Sequence, residues 1–193
     1  MHDLTAPLCK RRTRRLRWAA LLALSVLAGG APAAGPTNSL STLERAIQAN
    51  FLFKFAPFVE WPPGAFSATD RNFIICVVGD DPFGTLLKDV VRGQKMVGRP
   101  VVVRRAGNET GAAGCHILFA GPSADPGYAP FATADGQPVL TVADKGAGPS
   151  GAMIEFVRQS GRVRFQIDDG TARAHGLKIS SKLLGLAIAV DRK

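Results

Sequence analysis

The stretch "FIICVVGDDPFGTLLKDVV", residues 73–91, decides how this chain folds. Its first six residues are apolar without a break and rich in β-branching, as in a strand covered on both faces. "GDDPFG" then interrupts the run with turn-forming residues. "TLLKDVV" at 85–91 reads as a helix. A doubly covered strand that feeds a helix predicts a parallel α/β arrangement.

The same pattern continues downstream. "PVVVRR" (100–105), "CHILFA" (115–120) and "PVLTVAD" (138–144) read as three further strands. A short helix is expected around Asn108 to Ala113, and a Pro/Gly-rich loop spans 121–137. The last third changes character. "AMIEFV" (152–157) and "RVRFQI" (162–167) flank Ser160-Gly161, a hairpin signal. Val163, Phe165 and Ile167 alternate with Arg162, Arg164 and Gln166, so this strand is wet on one face. Helical segments are expected near 168–175 and 179–190. With no internal repeat and no linker, the expected fold is one α/β domain. Its largely parallel sheet is flanked by helices and ends in a C-terminal β-hairpin and helices.

Upstream, Ser41 followed by Glu44 is a capping box that should open the first helix. Leu40, Leu43, Ile47, Phe51, Phe55 and Phe58 recur at helical spacing. Pro57 should close the helix between Asn50 and Ala56, and Pro62-Pro63-Gly64 redirects the chain. Leu40, Ile47, Phe51, Phe55 and Phe58 form one stripe, which is expected to face the sheet. Phe53 lies opposite, in line with Ala46, Ala49 and Ala56. A surface helix needs only one apolar face. The Ala46/Ala49/Phe53/Ala56 face therefore either contacts a second subunit or protein partner, or is buried in the monomer under "SKLLGLAIAV" (181–190).

The N-terminus reads as a targeting segment. "KRRTRRLR" (10–17), the apolar "WAALLALSVLA" (18–28) and the small residues around Ala31-Pro32-Ala33 follow the order of a secretory signal peptide. Cleavage would leave a mature domain of 34–193, exported to the periplasm. Arginine pairs at 11–12 and 14–15 also permit twin-arginine export, and the route stays open. The alternative is an uncleaved anchor, although the apolar run is short for a bilayer core of about 30 Å. The segment 1–33 carries one Lys and five Arg against one Asp, so it supplies +5 of the chain's net +9 and leaves +4. A nucleic-acid reading thereby loses its main support.

Cys76 and Cys115 make an even set in an exported domain, which favours a disulfide over two buried thiols. Other motifs carry less. "GAGPSG" (146–151) matches a dinucleotide fingerprint by letters, but Pro149 follows and a strand, not a helix, comes next. Cys115 and His116 are neighbours in a strand and cannot pair as nucleophile and base. His116 and His175 lack metal-ligand spacing, so neither metal nor cofactor is expected. Asp80-Asp81 before Pro82 reads as a strand-to-helix turn rather than an acid/base pair. Arg173 and His175, with Arg162 and Arg164 nearby, could hold a small anionic ligand. The alternative is a set of solvated helix-end charges.

The chain resembles the YfiR-like periplasmic repressors from about Leu43 to Val190. The resemblance rests on "FLFKFAPFVEWPP" (51–63), "ICVVGDDPFG" (75–84), "CHILF" (115–119), "VLTVAD" (139–144), "GAMIEFVRQSGRVRFQID" (151–168) and "GLKISSKLLGLA" (176–187). It implies a helix-flanked α/β sheet, a homodimer and no catalysis. It further implies repression of an inner-membrane diguanylate cyclase through its periplasmic sensory region. An OmpA-like outer-membrane lipoprotein would relieve that repression by sequestering the repressor. The family's disulfide maps onto Cys76 and Cys115, whereas a second cysteine pair of some relatives has no counterpart here. Pro57 and the Asp169-Gly170 step also depart from the family pattern.

The expected function is therefore negative regulation of cyclic-di-GMP signalling, and hence of biofilm formation, by protein–protein contact. A second reading is a small-molecule sensor acting on another membrane receptor, such as a histidine kinase. Its ligand would be anionic or aromatic and held by Arg173, His175 and Arg164. A third, an exported enzyme, would need a catalytic constellation that the sequence does not display.

Overall fold

The structure is a computed structural model that describes residues 37–66, 71–107, 112–123, 125 and 127–193. The expected signal peptide and most of the expected 108–113 helix lie outside these residues. Those described fall in one compact unit, Gly35–Lys193.

Helix α1 (Thr37–Phe55) runs into a 3-10 turn at Ala56–Phe58, where Pro57 ends regular α-helical bonding. Strand β1 (Val59–Glu60) and a second 3-10 turn (Pro63–Ala65) follow. The sheet then opens with β2 (Phe73–Val78), helix α2 (Leu86–Val91), β3 (Lys95–Met96) and β4 (Arg99–Arg105). Strands β5 (Ile117–Ala120), β6 (Leu140–Asp144), β7 (Ile154–Gln159) and β8 (Arg162–Asp168) come next. The chain closes with α3 (Asp169–Ala174), β9 (Lys178–Ile179), α4 (Ser181–Leu184) and β10 (Val190–Asp191).

Eight strands form one sheet in the order β10-β8-β7-β6-β5-β2-β4-β3, while β1 and β9 make a separate antiparallel ribbon. Pairings in the large sheet are parallel except at the β7–β8 and β3–β4 hairpins. The mixed α/β fold, the mostly parallel sheet and the hairpin are as the sequence predicts. Ser160 (φ 50°) and Gly161 (φ 71°) turn the β7–β8 hairpin with two left-handed residues, which matches the twist of its strands.

Alternation along the central strands divides the core between the two faces. Phe73, Ile75, Val77, Ile117 and Phe119 pack with α1 and α2 in the main cluster. Cys76, Val78, Leu118 and Ala120 face a smaller cluster on the other side. There a disulfide joins Cys76 to Cys115, with Cα atoms 5.8 Å apart. Cys115 precedes β5 by two residues rather than lying within it.

Three expectations need correction. Helix α1 begins at Thr37, four residues before the expected capping box. Glu44 reaches across to Arg158 on β7 instead of back to its own helix end. The expected stripe is also rotated. Gln48, Ala49, Leu52, Phe55 and Ala56 are buried, whereas Leu43 and Ile47 are exposed. The helix sits against α2 as well as the sheet, so its buried arc centres on Leu52 between those two neighbours.

The helix expected at 179–190 is only the four-residue α4. Ser180 caps it, its Oγ accepting from the Leu183 N–H at 3.3 Å. Beyond Gly185 the open edge of β8 wins the backbone. Ile188 N–H donates to the Phe165 carbonyl (2.9 Å) and Ile167 N–H to the Ala189 carbonyl (3.0 Å). Pairing an exposed strand edge satisfies more backbone groups than another helical turn would.

The chain leaves β2 for β4 on one side and returns to β5 on the other, so the topological switch point lies between β2 and β5. In open α/β sheets, ligands settle outside the carboxyl ends of strands at such a point. Here the space is filled. Tyr128 Oη donates to the Gly121 carbonyl at 2.9 Å, and Asp80 N–H donates to the Pro122 carbonyl at 2.8 Å. A Cβ at Gly79 would lie 2.6 Å from Tyr128 Oη, and one at Gly121 would lie 1.9 Å from the Asp80 carbonyl oxygen. Only glycine allows this approach.

Burial, followed by the Asp80 charge, pushes the Tyr128 hydroxyl up to about 12. Tyr128 is the chain's single tyrosine, so tyrosinate absorbance reports it alone. The expected titration midpoint in the folded protein is about 12, against roughly 10 for an exposed phenol. The unfolded chain releases this proton first, so the stabilising term is complete below the unfolded value. It is lost as pH rises through the folded one. A midpoint near the exposed value in folded protein would show that Tyr128 does not plug the switch point.

Candidate functional site

The surface feature that the core does not account for lies where α1 crosses the β7–β8 hairpin. The C-terminal half of α1 is anchored by aromatic rings. Phe55 lies 5.8 Å from Phe156 and 5.1 Å from Phe165, and Phe51 lies 5.6 Å from Phe165, centroid to centroid. Toward its N-terminus the contacts become polar. Arg45 Nη1 donates to Asp144 Oδ2 (2.5 Å) and Gln48 Oε1 (2.7 Å), while Gln48 Nε2 donates to Asp144 Oδ1 (2.6 Å). Asp144 ends β6 and projects to the α1 side because it alternates with Ala143. Charge-assisted bonds that are partly shielded from water are stronger than the exposed Glu44–Arg158 pair, which on general grounds contributes about 0–1 kcal/mol.

Two hollows flank this end of α1. One, of about 220 Å³, is lined by Glu44, Arg45, Gln48, Asp144, Arg158 and Val163. The other, of about 290 Å³, is bordered by Leu43, Ile47, Phe51, Val163, Arg162 and Arg164. Leu43 is 58 % exposed and Ile47 36 %. The result is a concave apolar seam with a mostly cationic rim. Such a surface suits an apolar ridge of a protein partner better than a small reacting molecule.

The proposed ligand residues are not brought together. Arg164 borders the α1 seam. Along β8, the Asp168 cap of α3 is four residues further on, roughly 13 Å at strand rise. Arg173 forms an ion pair with the buried Asp169 one helical turn earlier. His175 ends α3, its Nδ1–H donating to the Thr171 carbonyl at 2.9 Å, with Nε2 3.5 Å from Asp135 Oδ1. It lines a separate hollow of about 260 Å³ with Phe131, Asp135, Thr141, Met153 and Thr171. Arg164 and His175 thus border different hollows.

Of the four small-face residues, Ala49 and Ala56 are enclosed by their own chain, whereas Ala46 and Phe53 are half-buried. Any contact with a partner at this face falls to those two. Sequence reasoning missed the Arg45–Gln48–Asp144 cluster. Its signal was an Arg and a Gln at (i, i+3) on a helix, with an aspartate ending an otherwise apolar strand. Among the described residues, no group of three or more His, Cys, Asp or Glu could hold a metal ion. None of their helices is long and apolar enough to cross a membrane.

Residues 45–188, more than half of the chain, match the model of a family described as YfiR/HmsC-like. No curated protein matches the chain significantly.

Proposed function

Because the chain belongs to the YfiR/HmsC-like family, we propose that it is an exported periplasmic regulator that represses an inner-membrane diguanylate cyclase. It binds the cyclase's periplasmic sensory region and so lowers cyclic-di-GMP and biofilm formation, without catalysis of its own. An OmpA-like outer-membrane lipoprotein relieves repression by sequestering it, and the working form is a homodimer. The observation that carries this reading is the concave seam under α1, where Leu43 and Ile47 stay exposed although the core is complete without them. A protein outside the membrane changes a cytoplasmic signal only by biasing two states of a membrane protein, which requires such a contact surface. Deleting the gene tests the reading: cellular cyclic-di-GMP rises. An unchanged level, with the cyclase present and expressed, contradicts it.

A second reading is favoured by the hollow beside His175, whose aromatic and polar lining suits a small aromatic metabolite. Occupancy there would tune contact with the membrane receptor. Calorimetry against a metabolite panel, with His175→Ala as comparison, tests it. Equal binding by both proteins rejects the site.

A further inference from the structure

We propose that the outer face of the β7–β8 hairpin is the surface on which two copies of this chain pair. The inference rests on the proposed homodimer and is independent of which cyclase is bound. By the strand's two-residue period, Arg162, Arg164, Gln166 and Asp168 share one face of β8, opposite Val163, Phe165 and Ile167 on the α1 side. Glu155 joins that face opposite Gln166, and Asp191 joins it opposite Asp168.

Charge is segregated along this face. Arg162 and Arg164 project at the turn end, beyond the residues that β10 pairs, where they also border the α1 seam. Both are exposed, and no ion pair or hydrogen bond reaches either guanidinium among the described residues. At the other end, Glu155, Asp168 and Asp191 line a hollow of about 290 Å³ between β7, β8 and β10. None of these carboxylates is in an ion pair among the described residues. Their hydrogen bonds are local: Glu155 accepts from Gln166, Asp168 from Thr171 and Asp191 from the Lys193 N–H. Lys145 lies two strands inward from β8, its ammonium donating to Gln166 at 2.9 Å.

Two protruding cations and an acidic hollow thus lie on one face, roughly 7 to 20 Å apart at strand rise. A twofold axis lying between two such faces, parallel to the sheet and perpendicular to β8, places each copy's arginines over the other's hollow. Isologous dimers require such self-complementarity, in which patch one meets patch two twice. Half-buried Val157, opposite Arg164, supplies an apolar centre. Like charges would meet in any parallel stacking of the same faces, so the charge order also fixes the orientation.

Sedimentation of the mature protein decides the matter. One variant, Arg162→Glu with Arg164→Glu, makes the face predominantly acidic, Lys145 apart. A second, Glu155→Lys with Asp191→Lys, makes it basic, and Asp168 is left in place because it caps α3. Wild type is expected to dimerise, and less tightly as salt rises. Each variant keeps the wild-type melting profile but weakens dimerisation by about two orders of magnitude. Mixed one to one, the two variants form a heterodimer. A wild type that is monomeric at every concentration overturns the proposal together with the homodimer. A wild-type dimer that both variants retain overturns the interface alone, as does failure of the mixed variants to pair.

Discussion

Replacing Cys76 and Cys115 together by alanine is expected to lower the stability of the folded domain by about 4 kcal/mol. The bond closes a loop with a sequence separation of 39, and the chain-entropy model gives that magnitude for such a length. The contacts point the same way. Cys76 is wholly buried, Cys115 nearly so, and Arg104 Nη2 lies 3.3 and 3.1 Å from their sulfurs. The same nitrogen donates to the Ala113 carbonyl, so the loop entering β5 is tied both covalently and by this guanidinium. Urea unfolding of the oxidised wild type against the double variant measures the difference. A shift in the stated direction, reproduced by adding reductant to wild type, is expected. A loss below about 1 kcal/mol would mean that the unfolded chain is little constrained by the bond.

Phe55→Ala carries a loss of similar size, about 3–5 kcal/mol. Phe55 is 1 % exposed and packs its ring among Phe51, Phe156 and Phe165. It is where α1 is pinned to the hairpin. Truncation removes the transfer term and leaves a cavity that three other rings cannot close without leaving their rotamers. Ile47→Ala, one face away and 36 % exposed, should change stability by no more than about 0.5 kcal/mol. Equal losses at the two positions would contradict the rotation of α1 toward Leu52 described above.

That rotation marks the limit of what the residues alone reveal. Doubly buried strands such as "FIICVV" and the Ser160-Gly161 turn were legible because period and turn chemistry are local properties. The pairing of Cys76 with Cys115 was legible because the expected mature domain, residues 34–193, holds only these two of the chain's three cysteines. The buried arc of α1 was not, since Leu43, Ile47, Phe51 and Phe55 fit a helix equally well under either rotation. Only the position of α2 settles which side is covered. The same holds for "SKLLGLAIAV", which scores as helix until the open edge of β8 competes for its backbone. Site residues suffered most. Arg164 and His175 are 11 positions apart in sequence, and nothing local says that they serve different hollows. Asp144 reads as the polar end of a strand until Arg45 and Gln48 are seen to meet it.

The central claim is that this protein acts from outside the inner membrane on a cyclase whose product is made inside. The most direct test measures cyclic-di-GMP in a deletion strain carrying either the full chain or residues 34–193 alone, expressed to equal levels. The full chain is expected to restore the low level, while the chain lacking residues 1–33 stays in the cytoplasm and leaves the level high. Equal restoration by both forms, or by neither, would contradict repression from the periplasm.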